Sequence, residues 1–173
     1  MNEKMMIDVL QRTRHDLMNH LQVMHGYLSM DKIGVVKEKL AECIHYYNQE
    51  RKLINLNAPN FILWVIQFNY NHENVHLNYH IHSDEINLSH MDDQLIEDSE
   101  FIVGRINKLG SKMELYELKL ELNKISQSKV KLSITVVDQF NWINDFEDHE
   151  QNKSVCVKES DDGIVYECLY TIE

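Results

Sequence analysis

A single proline, Pro59, and five glycines leave this 173-residue chain little of the material from which phosphate-cradling loops are made. No G-x-x-x-x-G-K-[ST], G-x-G-x-x-G or G-x-S-x-G run occurs, which removes three familiar nucleotide-binding and hydrolase chemistries from consideration. Cysteine is scarce too: Cys43, Cys156 and Cys168 are odd in number, widely separated and form no C-x-x-C pair. A disulfide framework or thiolate zinc site is therefore not expected, and a reducing compartment fits. No apolar run approaches the ~20 residues a membrane helix needs. The start, Met1-Asn2-Glu3-Lys4, leads into helix-periodic sequence rather than the apolar region of a signal peptide. The expectation is a soluble cytoplasmic protein. Positive charge is also short: 17 Lys+Arg against 28 Asp+Glu give a net charge of −11, which argues against nucleic acid and membrane as partners.

What charge there is falls unevenly. Residues 1–55 carry 8 Lys+Arg against 7 Asp+Glu, a net +1, while residues 56–173 carry 9 against 21, a net −12. Two modules are expected, and residues 1–58 and 59–173 are their bounds. In the first, Met6, Leu10, Leu17, Leu21, Met24 and Leu28, with Thr13 filling a gap, step by threes and fours as one face of a helix. A turn-like Ser29-Met30-Asp31-Lys32-Ile33-Gly34 follows. A second seam then runs through Val36, Leu40, Cys43, Ile44, Tyr47 and Ile54, interrupted by Arg51 and ended by Asn57 and Pro59. Two helices of roughly 20 residues joined by a short loop make an antiparallel hairpin. Such a hairpin has an apolar face with nothing over it. Pairing with a second copy into a four-helix bundle covers it most simply, and covering by the chain's own C-terminal half is the alternative.

The second module mixes elements. Phe61 to Phe68 reads as a short helix, and Val75, Leu77, Tyr79 and Ile81 alternate as a strand. Asp92 to Leu109 reads as a helix ending near Gly110, with Asp92, Asp93, Glu97, Asp98 and Glu100 as a solvated acidic start. Leu115 to Leu122, Val130 to Val137 and Ile164 to Ile172 alternate as strands, and Phe140 to Phe146 reads as a helical turn. The fold class expected is α+β, a helical hairpin followed by a small α/β layer with a mostly antiparallel sheet.

The chemistry concentrates in Arg14-His15-Asp16-Leu17-Met18-Asn19-His20-Leu21-Gln22. On a helical wheel His15 lies about 200° from both Thr13 and Leu17, facing away from the seam. An imidazole with a reference pKa of ~6.5 is substantially neutral at cytoplasmic pH and then nucleophilic. Arg14 suits a phosphoryl oxyanion, Asp16 can orient the ring N–H or take up its proton, and Asn19, one turn on, can bond a phosphate or a water. The plain alternative is a solvated helix face that happens to hold a histidine. A zinc reading fails, because Asn19 stands where H-E-x-x-H needs its second histidine and His20 lies about 140° around from His15. His72, His76, His80, His82 and His90 form a richer cluster, yet no acid-plus-histidine spacing completes a metal site. No bound cofactor or metal is expected.

This segment, followed by Gly26-Tyr27-Leu28-Ser29, resembles the phosphohistidine segment of the sporulation initiation phosphotransferase B family and the dimerisation helices of citrate/dicarboxylate-sensing histidine kinases. Leu53-Ile54-Asn55-Leu56-Asn57-Ala58-Pro59 and the order of elements are similar to that phosphotransferase as well. The resemblance implies a homodimer whose hairpins form a four-helix bundle, each protomer carrying an α/β domain descended from a kinase ATP-binding domain. It also implies a histidine, matching His15, that takes a phosphoryl group from one response-regulator receiver domain and hands it to another. The wider H-[DE]-x-x-[NT] pattern matches His15, Asp16 and Asn19. Docking is expected around His15, Arg14, Asn19, Met18 and Gln22, with Mg²⁺ supplied by the regulator. The kinases' asparagine box and glycine-rich loops have only Arg105-Ile106-Asn107 and Asp162-Gly163 as counterparts, so ATP-dependent autophosphorylation is not expected. A non-catalytic dimeric scaffold that binds a regulator or another partner is the alternative function.

Overall fold

The computed structural model describes residues 3–83, 86–110, 114–139 and 155–172. Its elements run α1 (Glu3–Ser29), α2 (Ile33–Ile54), α3 (Pro59–Asn71), β1 (Val75–Ile81), a 3-10 turn (Ser89–Met91), α4 (Asp92–Leu109), β2 (Tyr116–Ser126), β3 (Lys129–Val137), β4 (Val155–Ser160) and β5 (Gly163–Thr171). The architecture is α+β. Phe140 to Phe146, read above as a helical turn, lies outside the described residues. The chain divides into two compact units, residues 1–50 and 51–173.

In the first unit α1 stops in a Schellman arrangement. The Lys32 N–H reaches the Tyr27 carbonyl at 3.0 Å and the Asp31 N–H the Leu28 carbonyl at 3.0 Å, with Asp31 at φ 56°. A short aspartate tolerates the left-handed position that glycine usually fills, and the chain reverses into α2. The apolar face expected on α1 divides in two. Met24 is buried at 9% exposure and Thr13 is half-buried, its hydroxyl returning to the Val9 carbonyl. Leu10, Leu17, Leu21 and Leu28 remain exposed. On α2, Cys43 is likewise buried while Ile33, Leu40 and Ile44 are exposed. Each helix therefore has one line of side chains turned inward and a neighbouring apolar line turned out.

The second unit closes its own core. Its five strands lie in the order β1-β2-β3-β5-β4; β1 and β2 are parallel, bridged in sequence by α4, and the other three pairings are antiparallel. Alternation decides which face is apolar. Leu118, Leu120, Leu122, Leu132, Ile134, Val136, Ile164, Tyr166 and Cys168 are fully buried, in one cluster with Phe61, Val65 and Phe68 of α3 and Leu95, Ile102, Val103 and Ile106 of α4. The opposite face carries ion pairs, Lys131 and Lys158 on Glu167 at 2.8 and 2.9 Å. Strand β4 was not foreseen in the sequence: of Val-Cys-Val-Lys-Glu-Ser only Val155 and Val157 are apolar, and an edge strand half-buried on one side needs no more. It turns into β5 through Gly163 at φ +134°, where a Cβ would strike the Val136 carbonyl.

The acidic start of α4 corrects the sequence reading most clearly. Asp93, Glu97 and Glu100 are solvated, but Asp92 is 7% exposed and Asp98 is fully buried. The Asp92 carboxylate accepts from the Phe61 N–H at 2.8 Å and the Asn60 N–H at 3.0 Å, so it caps the first turn of α3, whose preceding residue Ala58 has no side chain to do so. Asp98 accepts from the Tyr170 hydroxyl at 2.8 Å and from the Gln94 amide at 3.2 Å. A buried carboxylate survives only with such donors.

Candidate functional site

The site lies wholly on the hairpin unit and begins with helix geometry. At 100° per residue, α1's inward line (Thr13, His20, Met24, Tyr27) and its exposed apolar line (Leu10, Leu17, Leu21, Leu28) are about 70° apart, and His15 is about 140–150° from the middle of each. His15 accordingly stands in solvent, its side chain 72% exposed beside an Asp16 side chain at 56%. Two neighbours converge on one ring atom. Asp16 Oδ1 is 3.3 Å from His15 Nδ1, and Asn19 Nδ2, one turn on, is also 3.3 Å from Nδ1. Asp16 and Asn19 thus both sit at Nδ1, and neither contact involves Nε2.

The remaining expected residues flank this group without joining it. Arg14 is exposed one residue before His15, about 100° around the helix. Met18, 46% exposed, and Gln22, exposed, share the outward face within about 60° of His15. Among the described residues no group of three or more histidines, cysteines or acids is placed to hold a metal. His80 and His82 do meet, with ring centroids 4.4 Å apart, and His82 Nε2 lies 3.0 Å from Glu121 Oε1.

Missed in the sequence was the set that supports α1 from α2. His20 lies edge-on to Tyr46 and Tyr47, at 5.8 and 6.2 Å between centroids, and its Nδ1 is 3.7 Å from Cys43 Sγ. Burial, then the charge of Asp16, raises the Glu50 carboxyl, and burial followed by Glu50 and Asp16 raises the Tyr46 phenol. Asp16 is therefore electrostatically joined both to His15 and to α2. The signal was present in Tyr47, a polar-tipped residue on the seam, but only the pairing of the two helices brings His20 to it.

Comparison with known proteins agrees with this hairpin. Residues 1–56 match the family described as Sensor_kinase_SpoOB-type, alpha-helical domain. The chain is also similar to the sporulation initiation phosphotransferase B of Bacillus subtilis (strain 168), 33% identical over 90 residues, a match spanning 52% of this chain and 47% of that relative. The chain therefore spans about half the length of this relative. Among solved structures it is similar, with a TM-score of 0.44 and 11% identity over 96% of this chain and 61% of the other, to the histidine kinase ThkA in complex with the response regulator protein TrrA. The matched residues include His15, Asp16 and Asn19 together with most of the exposed apolar lines. No described helix is long and apolar enough to cross a membrane.

Proposed function

We propose that this protein is a histidine phosphotransferase of a two-component phosphorelay, with His15 as the group that is phosphorylated. The observation that carries the reading is an imidazole 72% exposed on α1, with Asp16 and Asn19 both at Nδ1 so that these contacts leave Nε2 uncovered. Docking of a receiver domain on the face of Arg14, His15, Met18, Asn19 and Gln22 brings its aspartyl phosphate in line with Nε2. The Nε2 lone pair forms the N–P bond as the aspartyl oxygen departs with its electron pair, regenerating the regulator's carboxylate. The ring is left protonated at Nδ1, where the Asp16 carboxylate faces its positive charge. Reversal onto a second aspartate completes the transfer. Positioning and charge neutralisation supply the catalysis, Arg14 flanks the phosphoryl oxygens, and the Mg²⁺ belongs to the regulator. With five glycines in the chain and no glycine-rich loop, we assign no ATP-dependent kinase step.

We further propose that the acting species is a homodimer. Leu10, Leu17, Leu21 and Leu28 of α1 and Ile33, Leu40 and Ile44 of α2 form apolar lines left in water by the single chain. Four-helix packing against a second copy buries them and leaves His15 outside. The module bounds 1–58 and 59–173 and a cytoplasmic setting go with this reading.

The test is to incubate the full chain with radiolabelled, phosphorylated response regulators. Acid-labile, base-stable label on the wild-type chain and none on His15→Ala is expected. Label that survives His15→Ala overturns the assignment of His15. No label from any regulator, with a regulator still bound, favours the dimeric scaffold instead.

A further inference from the structure

Asp16 and Asn19 reach the same nitrogen of His15, and their chemical demands are opposite. A carboxylate only accepts, so Asp16 Oδ1, 3.3 Å away, needs a proton on Nδ1. An amide nitrogen only donates, so Asn19 Nδ2, also at 3.3 Å, needs a bare lone pair there. A neutral imidazole carries one proton, and the two contacts cannot both be hydrogen bonds in one tautomer. With Nδ1 protonated, the free pair is on Nε2 and faces solvent. With Nδ1 bare, Nε2 carries the proton and has no pair to offer a phosphorus atom.

We propose that Asp16 and Asn19 act as a tautomer selector for His15, Asp16 holding the nucleophilic form and the Asn19 amide N–H holding the unreactive one. The proposal rests on the reading of His15 as the phosphoryl carrier. Both are positioning residues, since neither touches the atom that forms the new bond. A docking partner that captures the Asn19 N–H group for itself converts His15 to a nucleophile without moving the helix. In the forward step the Nδ1 proton stays in place while the Nε2 pair bonds phosphorus and the aspartyl oxygen leaves. In the reverse step the N–P electrons return to Nε2, restoring the same tautomer.

The test reads the ring directly. In ¹⁵N-histidine-labelled full-length protein, two-bond nitrogen–proton correlations distinguish protonated from bare ring nitrogens on the alkaline plateau of the titration. Asp16→Ala is expected to move the ratio toward Nε2–H, and Asn19→Ala toward Nδ1–H, each by about threefold, the scale of one exposed hydrogen bond. Asp16→Glu, which keeps an acceptor, is expected to stay nearer the wild-type ratio than Asp16→Ala. Circular dichroism of each variant checks that α1 is retained. A ratio unmoved by both alanine variants, or moved in the opposite senses, overturns the selector. Ratios that move as stated in a protein no regulator labels support the selector and sink only the transfer reading.

Discussion

In residues 51–173 the apolar side chains between the helices and the sheet are shut away: Phe61, Ile102, Leu120 and Ile134 have no solvent exposure, and exposed residues such as Leu115 and Leu169 lie outside that core. In residues 1–50 Leu10, Leu21, Leu28 and Ile44 are 62%, 48%, 56% and 55% exposed. Both units draw on helices of similar amphipathic pattern, so the difference lies in what each has to pack against. A sheet offers α3 and α4 a broad apolar surface, whereas a two-helix hairpin offers one inward line and leaves its second without a partner. The same incompleteness frees the third side of α1, where His15 stands. A unit that buried everything would have no side left for an incoming phosphoryl donor.

The sharpest way to break this comparison is to cut into the closed unit. Phe61→Ala removes a fully buried ring from the junction of α3 with the core. A loss of about 3–5 kcal/mol is expected in urea unfolding followed by the sheet signal. A loss below about 1 kcal/mol would mean that the core is not closed as described.

The matching change in the hairpin is Leu21→Glu. In a single chain, a side chain already 48% exposed costs about 0.5 kcal/mol or less to replace. Buried in a bundle of two copies, the same change places a charge in the interface and is expected to weaken association at least about a hundredfold, with sedimentation velocity reading the shift from dimer to monomer. A wild-type chain that sediments as a monomer removes the basis for the homodimer. A dimer indifferent to Leu21→Glu puts the interface elsewhere.

The comparison also explains what the sequence disclosed. The hairpin, α4 and strands β1, β2, β3 and β5 were legible because each presents a period near 3.6 or 2 over seven or more residues, and α3 was legible as a compact apolar run. His15, Asp16 and Asn19 were legible as a group, since helical spacing alone brings positions one turn apart together. Three features were not. Strand β4 has two apolar residues and takes its place from pairing with β5. Asp92 and Asp98 looked like any acidic helix start, and only the tertiary partners Phe61 and Tyr170 turn them into a cap and a buried acceptor. The contact of His20 with Tyr46 and Tyr47 depends on the helix pairing, which a seam of apolar letters does not fix to the residue.

Asp92→Ala separates a structural acid from a solvated one. It leaves the Asn60 and Phe61 N–H groups without their acceptor at the start of α3, and about 1–2 kcal/mol of stability is expected to go with it. Asp93→Ala, one residue along and exposed, is expected to change stability by less than about 0.5 kcal/mol. Equal effects from the two would return Asp92 to the solvated face.

The smallest expected effect is a difference in sign between the units. Partial burial of Glu167 works against its ionisation, but hydrogen bonds and charges from Lys131 and Lys158 outweigh it and hold the carboxyl below its ordinary value of 4.5. A depressed folded value means that the stabilisation is present above about pH 4.5 and is lost as pH falls through the folded value. Glu50 runs the other way. Burial first, and Asp16 second, raise its carboxyl above 4.5, so the folded state binds the proton more readily than the unfolded one. Its ionisation therefore costs stability above the raised value, and that cost is relieved as pH falls toward 4.5. Wild-type stability minus that of Glu167→Gln should thus decline on acidification, while the same difference taken with Glu50→Gln should rise. Both residues are only partly buried and solvent screens their charges, so each change is expected to stay below about 1 kcal/mol. Chemical denaturation at closely spaced pH values resolves the two signs. Curves of the same sign would mean that Glu50 is compensated by a cation in solution, and that the acidic environment described between Asp16 and α2 does not persist there.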